Sequence, residues 1–252
     1  MTEALPSTIG HEQAERIRFG WRLRIGMLLP SSNRVAEPEI PAMLPAGVSL
    51  HTARLKLAGS KRDELLAMTE KVEEGASLLV DADVDLIAFH CTAVSTFDPT
   101  MEKGLKQRIE ATTGKPATTT AEALVAAFRA LGARRIVLVS PYTADINQRE
   151  VAFFAHHQIS VVRETGLALD SGAGFAGVEP GEWYRLTMAN RHPDADAYFV
   201  SCTTIRSTPV ISALERDLGK PVVTSNQALA WHALRTGHVH DHVPDFGALF
   251  SH

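Results

Sequence analysis

The sequence lacks the motifs that usually announce a metal or an organic cofactor. It contains only two cysteines, and neither belongs to a C-x-x-C pair or to a His/Cys cluster with zinc spacing. The first predicted strand and the turn after it read GMLLPSSN, with no glycine-rich dinucleotide turn, and no P-loop occurs. Two cysteines in a chain of this length do not form a disulfide framework. We therefore expect a protein without a metal, a cofactor or a structural disulfide.

Long apolar runs and an excess of charge are also missing. The longest apolar stretches, such as LIAFH and IVLVS, are far shorter than the roughly 20 residues that span a bilayer. The first 20 residues contain no apolar core of a signal peptide. The net charge of −4 offers no basic surface for nucleic acid or for an anionic membrane. We expect a cytoplasmic protein with no nucleic-acid and no membrane partner.

The chain repeats itself over most of its length. Cys91 and Cys202 are 111 residues apart, and at this spacing DVDLIAFHCT aligns with DADAYFVSCT without a gap. RIGMLLP (24–30) aligns with RIVLVSP (135–141) at the same spacing, and GKPATTTAEALVAAFRALG (114–132) aligns with GKPVVTSNQALAWHALRTG (219–237). Three blocks in the same order indicate two copies of one structural half.

Short buried-type strands alternate with helical stretches in both copies. The predicted strands are 25–29, 86–89, 136–139, 198–200 and 222–223, and helical periodicity covers 64–80, 121–131, 143–157 and 209–218. Continuous apolar strands between helices are typical of a parallel sheet that is covered on both faces. The sequence therefore predicts an α/β protein with two pseudo-two-fold-related domains, each with a four-stranded parallel sheet, and an active site in the cleft between them.

Both cysteines fall at predicted strand ends, where the chemistry of parallel sheets collects. Each is followed by a threonine, Thr92 or Thr203. The duplication predicts that Cys91 and Cys202 face each other across the cleft, where thiols can act as nucleophile or as acid and base. Burial as small apolar residues is the alternative. His90 directly precedes Cys91, so strand alternation turns it to the opposite face, and we interpret it as a packed histidine.

The motifs GMLLPSSN, HCTAVS, SPYTADIN, VSCTTIRS and GKPVVTSNQALAWHALR resemble the maleate cis–trans isomerases of the aspartate/glutamate racemase superfamily. The resemblance extends from about Leu23 to Arg235. It implies that Cys91 attacks the double bond of maleate as a thiolate and that Cys202 protonates the neighbouring carbon. It also implies a set of substrate-binding residues: Asn33, Tyr142, Thr92, Thr203, Ser32 and Thr204.

The same residues have structural alternatives. Asn33 and Ser32 can cap the following helix, and Tyr142 can hold a turn after Pro141. The resemblance also implies an N-terminal tail over 1–22, a first domain over 23–115 plus 226–252, a second domain over 116–225, and a homo-oligomer, either a dimer or a tetramer.

Other members of the superfamily offer alternative functions for a small carboxylate substrate. A racemase of a small amino acid, including a branch linked to ectoine degradation, would use the cysteines as an acid/base pair. An arylmalonate decarboxylase and a non-catalytic ligand-binding module are further alternatives. The segment 166–180 contains no asparagine, although the resemblance to maleate isomerases implies one there, and the role of the glycine-rich loop 171–177 stays open.

Overall fold

The computed structural model describes residues 20–57 and 62–252, so most of the predicted tail over 1–22 lies outside the described residues. The first half of the chain consists of β1 Leu23–Pro30, α1 Ala36–Ala42, β2 Val48–Leu55, α2 Arg62–Thr69, α3 Val72–Val80, β3 Leu86–Phe89, α4 Thr92–Ser95, α5 Pro99–Thr113 and β4 Ala117–Thr119. The second half consists of α6 Thr120–Ala130, β5 Arg135–Ser140, α7 Ala144–His156, β6 Ser160–Gly166, α8 Gly172–Gly177, α9 Pro180–Ala189, β7 Ala197–Val200, α10 Ile211–Leu218, β8 Val222–Thr224 and α11 Ser225–Thr236. Short 3-10 turns cover Thr208–Val210 and Ala248–Ser251.

Two parallel four-stranded sheets confirm the predicted duplication. Their strand orders are β2-β1-β3-β4 and β6-β5-β7-β8, which is the same order in each half. Equivalent contacts recur as well. The carboxylate of Asp85 accepts a hydrogen bond from the N–H of Arg24 at 2.7 Å, and Asp196 accepts one from the N–H of Arg135 at 2.9 Å. The two halves therefore share their structure as well as their sequence pattern.

One predicted domain boundary is wrong in part. The sequence predicts that residues from 116 onward belong to the second domain, but β4 pairs with β3 in the first sheet. The first sheet thus takes its edge strand from beyond the predicted boundary. The remaining boundaries, including the return to the first domain at residue 226, stay predictions.

Helices α6 and α11 pack against each other and join the two halves. Both begin in the same way, because the side chains of Thr119 and Thr224 accept hydrogen bonds from the third residue of their helix. On α6, Phe128 meets Phe154 and Phe199 edge to face, with ring centroids 5.7 and 5.9 Å apart. Residues of both sheets, such as Ile25 of β1 and Ile136 of β5, belong to one hydrophobic core with these helices, and this shared core fixes the two sheets relative to each other.

The described helices include none that is both long and apolar enough to cross a membrane, within residues 20–57 and 62–252. The predicted helix over 64–80 is two helices, α2 and α3, with a break at Glu70 and Lys71. The strands β2 and β6 carry no clear pattern in the sequence because they lie at sheet edges, where most of their side chains are only partly buried.

Candidate active site

The ends of β3 and β7 bring the two cysteines to one small cavity of about 40 Å³. Cys91 is the N-cap of α4, so its sulfur lies near the backbone N–H groups of Ala93 and Val94, which act to lower the pKa of the thiol. The sulfur of Cys202 accepts a hydrogen bond from the N–H of Thr204 at 3.3 Å and another from the hydroxyl of Tyr142. Both cysteines are free. The structure thus brings the two cysteines, which the sequence predicts to face each other, to the same cavity.

Burial sets the protonation of these groups. It raises the pKa of the Cys91 thiol to about 12 and that of the Cys202 thiol also to about 12. The N–H groups that point at each sulfur act in the opposite direction, because they stabilise a thiolate. Burial likewise raises the pKa of Tyr142 well above its usual value, so its hydroxyl stays protonated and donates to Cys202. A thiolate on one cysteine also raises the pKa of the other, so the site holds at most one thiolate at a time.

The lining of the cavity is mixed in polarity. Among the predicted substrate-binding residues, four have side chains that line it: Ser32, Tyr142, Thr203 and Thr204. The apolar part of the lining includes Leu57, Leu65, Ala93 and Phe175. A volume of about 40 Å³ is far below the roughly 300 Å³ of an ordinary ligand pocket. A substrate must therefore widen this cavity as it enters.

The glycine-rich segment forms one wall of the cavity. Gly172 and Phe175 of α8 face the cavity, whereas Ala176 and Gly177 line an outer groove of about 1070 Å³. The letters of residues 172–177 fit the pattern G-x-G-x-x-G, but they form a six-residue helix, and their glycines do not adopt positive φ. This segment is a thin partition between the cavity and the groove, and not a nucleotide-binding turn.

Asn33 and Thr92 are buried beside the cavity but do not line it. The amide nitrogen of Asn33 donates to the carbonyl and the hydroxyl oxygen of Thr203 at 3.0 and 3.1 Å. Its amide oxygen accepts from the N–H groups of Val35 and Ala36, at the start of α1. The hydroxyl of Thr92 donates to that of Ser225 at 2.9 Å. In this structure both residues hold the two halves together, and a direct role in substrate binding stays a prediction.

His90 is packed away from the cavity, as expected from strand alternation. Its ring nitrogens lie 3.0 Å from the hydroxyl of Thr120 and 2.8 Å from the amide oxygen of Asn226. Burial lowers the pKa of His90 to about 4, so the ring is neutral near pH 7. Within residues 20–57 and 62–252, no group of three His, Cys, Asp or Glu side chains is placed to hold a metal ion.

The sequence analysis missed three residues around Cys202. Ser225 accepts a hydrogen bond from the N–H of Cys202 at 3.1 Å, and the hydroxyl of Ser201 donates to the buried carboxyl of Glu150 at 2.8 Å. Cys202 itself has a φ of 111°, a conformation that residues other than glycine rarely adopt. No local pattern reveals these contacts, because each joins residues more than twenty positions apart.

Replacing Gly166 by alanine is expected to destabilise the protein by about 1–3 kcal/mol. A methyl group at this position, at the end of β6, meets the backbone oxygen of Tyr142 at 2.4 Å and the amide nitrogen of Asn147 at 2.8 Å. Urea unfolding measures the effect. Gly104→Ala is the matched control, because a methyl group there has nothing within 4 Å and should stabilise α5 by about 0.5–1 kcal/mol. Equal stability of the two variants would contradict the close approach of β6 to the Tyr142 loop.

Comparison with known proteins adds independent information. The sequence model of the arylmalonate decarboxylase family matches residues 25–250. The maleate isomerase of Nocardia farcinica is 31% identical over 90% of this chain and 94% of its own length, and that of Pseudomonas putida is 29% identical over 90% and 97%. A solved cysteine-to-serine variant of Nocardia farcinica maleate cis–trans isomerase, with a covalently bound succinylcysteine intermediate, superimposes with a TM-score of 0.85 at 25% identity and covers 90% of this chain and 98% of that one.

Proposed function

This chain belongs to the family of arylmalonate decarboxylase and maleate isomerase, and from that premise we propose that it is a cofactor-independent isomerase that converts maleate to fumarate. The observation that carries the proposal is the pair of thiols, Cys91 and Cys202, at equivalent strand ends on one small cavity. A reaction that uses one thiol does not need two equivalent cysteines. An isomerisation in which sulfur adds to one alkene carbon and a proton to the adjacent carbon needs two groups, one for each carbon.

The proposed reaction passes one negative charge between the two sulfurs. The thiolate of Cys91 adds to one alkene carbon, so a C–S bond forms and the π pair moves to the neighbouring carbon. That carbon takes the proton of Cys202, which becomes the thiolate. After rotation about the new single bond, Cys202 recovers the proton, the C–S bond breaks, and fumarate leaves. The intermediate is a succinylcysteine, the same species that is covalently bound in the solved Nocardia farcinica variant.

The binding groups for the carboxylates are proposed to be neutral donors. The hydroxyls of Ser32, Thr203 and Thr204 line the cavity, and the hydroxyl of Tyr142 stands beside Cys202. Hydrogen bonds from such donors strengthen in a buried site, because the surroundings have a low dielectric constant. Asn33 supports this set by fixing Thr203.

A racemase of a small amino acid is the second candidate. The duplicated thiols suit it equally well, because proton removal from one face and delivery to the other needs an acid and a base on opposite sides. However, the described residues that line the cavity include no Asp or Glu to bind an ammonium group. The lining therefore favours a substrate that carries only negative or neutral groups.

The proposal is tested by a proton NMR time course of the reduced protein with maleate in deuterium oxide. We expect the maleate signal to fall and a fumarate signal to rise. A parallel sample with chiral amino acids reports racemase activity through exchange of the α-proton. Exchange of the α-proton in the amino-acid sample, without fumarate formation in the maleate sample, would identify the protein as a racemase instead of a maleate isomerase.

Two further statements rest on the resemblance. We propose that the protein is a cytoplasmic homo-oligomer, a dimer or a tetramer, that acts on a small carboxylate without a nucleic-acid partner. Light scattering coupled to size-exclusion chromatography tests the assembly. A mass equal to one chain would exclude the oligomer.

A further inference from the structure

A buried carboxyl group that the proposed reaction does not use lies behind the second cysteine. Glu150 projects from α7 and is completely buried. One of its oxygens accepts the hydroxyl of Ser201 at 2.8 Å, and the other has no hydrogen-bond partner within residues 20–57 and 62–252. A buried carboxylate with one empty oxygen is costly, whereas a protonated carboxyl is much less so. The position therefore suits a carboxyl that keeps its proton.

Ser201 is one of several residues that clamp Cys202 in its strained conformation. Its N–H donates to the carbonyl of Val139 at 2.8 Å, while its hydroxyl is fixed by Glu150. On the other side of the cysteine, Asn33 holds Thr203. A φ of 111° is strained for a cysteine and persists only when the surroundings enforce it. Glu150 therefore helps to hold the backbone of Cys202 in this conformation, through its hydrogen bond with Ser201.

The charge of Glu150 also reaches the reacting groups. An ionised Glu150 would raise the pKa of Cys91, of Cys202 and of Tyr142. Each of these shifts opposes the formation of a thiolate in the cavity. The neutral carboxyl of Glu150 therefore holds Ser201 in place, whereas the charged carboxylate repels a thiolate in the cavity.

We propose that protonated Glu150 is a positioning residue for Cys202, holding it through Ser201, and that loss of the Glu150 proton switches the two-thiol site off. This inference rests on the proposed function only for its effect on turnover. The link between Glu150 and the thiols is a property of the fold and is measurable without substrate.

The protonation of Glu150 changes in an accessible range of pH. Its pKa is raised from 4.5 to about 8: burial is the largest cause, the hydrogen bond from Ser201 acts in the opposite direction, and the nearby carboxylate of Glu164 on β6 adds a smaller increase. The other ionisable groups that sense its charge are Cys91, Cys202 and Tyr142, all of which are neutral near pH 8. Glu150 is therefore protonated below about pH 8 and charged above it.

Stability should change with pH for the same reason. Between pH 4.5 and about 8 the folded protein keeps a proton that the unfolded chain has lost, so the free energy of unfolding falls as the pH rises through this range. Glu150→Gln removes this contribution. Its melting temperature should fall less than that of the wild type between pH 5 and pH 8.

The decisive experiment uses protein labelled with ¹³C at the β-carbon of cysteine. The chain has two cysteines, so two signals appear, and Cys91→Ala assigns them. We expect the Cys202 signal of the wild type to shift with a midpoint near pH 8. In Glu150→Gln, which keeps an acceptor for Ser201 but cannot ionise, the shift should be absent. Asp145→Asn is the matched control, because it removes an exposed carboxylate from the same helix and should leave the midpoint unchanged.

Turnover of maleate is measured on the same samples. Below pH 8, kcat/KM of the wild type should rise with pH because the thiolate of Cys91 becomes more populated, and above pH 8 this rise should stop. In Glu150→Gln the rise should continue above pH 8. Ser201→Ala should lower kcat at every pH, because Cys202 loses its support. A wild-type cysteine signal without a step near pH 8, or the same step in Glu150→Gln, overturns the inference. A step that depends on Glu150 in a protein without turnover supports the inference and overturns the isomerase instead.

Discussion

Cys91→Ala is expected to reduce the conversion of maleate to fumarate by at least about 10⁴-fold, because the thiol that is left at the cavity, Cys202, cannot act both as the nucleophile and as the proton donor. The fold should survive. The change removes one sulfur atom from a buried position, which costs about 1–2 kcal/mol. Turnover is followed by NMR and stability by thermal unfolding.

Cys202→Ala should lose turnover to a similar extent but fail at a different step. Cys91 can still add to the alkene, and the carbanion then takes a proton slowly from solvent water instead of from Cys202. No thiolate is left to remove a proton again and release the product. We therefore expect mass spectrometry to find protein that carries one covalently attached substrate, as in the Nocardia farcinica variant with its succinylcysteine. The double variant should be no worse than either single variant, because the two thiols act as a unit.

Cys202→Gly is the matched control for strain. Like alanine, glycine lacks the thiol, but it adopts a φ of 111° without strain. This variant should be as inactive as Cys202→Ala and more stable by about 1 kcal/mol. Turnover in any of these variants near the wild-type rate would remove the two-thiol mechanism. Tight binding of maleate without any turnover of the wild type would identify the protein as a binding module.

The duplication carried most of what the sequence could reveal about the fold. The central strands β1, β3, β5 and β7 are buried on both faces, so their apolar runs stand out and repeat at 111 residues. The edge strands β2 and β6 have no such runs. The misplaced β4 has a similar cause, since a three-residue strand contains too little pattern to show which sheet it joins.

The site was predictable where a residue follows a strand directly, and not where the fold brings distant residues together. Cys91, Cys202 and Tyr142 each lie two residues beyond the end of a central strand. The resemblance to maleate isomerases implies that Thr92 binds a substrate carboxylate, but in this structure its hydroxyl donates a hydrogen bond to Ser225. Glu150 lies in an ordinary helical pattern, and only the packing of α7 behind β7 reveals its contact with Ser201.

Asn33→Ala is expected to lower stability and activity together. The variant loses the acceptor at the start of α1, which costs about 1 kcal/mol, and it leaves the buried carbonyl of Thr203 without its donor, which costs about 1–3 kcal/mol. The sum of about 3 kcal/mol corresponds to a fall in melting temperature of roughly 6–12 °C. Asn190→Ala is the control, because that side chain donates a hydrogen bond to the carbonyl of Leu186 one turn earlier in its own helix.

Thr203→Val separates the two roles of Asn33. It removes the hydroxyl that accepts from Asn33 and lines the cavity, but it keeps the carbonyl that Asn33 also binds. If Asn33 acts by fixing Thr203, the effects of Asn33→Ala and Thr203→Val on kcat should be non-additive. Once one of the two side chains has been replaced, the contact between them is already lost and the other replacement adds little. Additive losses of kcat would mean that Asn33 contacts the substrate independently. A lower melting temperature with unchanged kcat and KM in Asn33→Ala would show that Asn33 serves only to cap the start of α1.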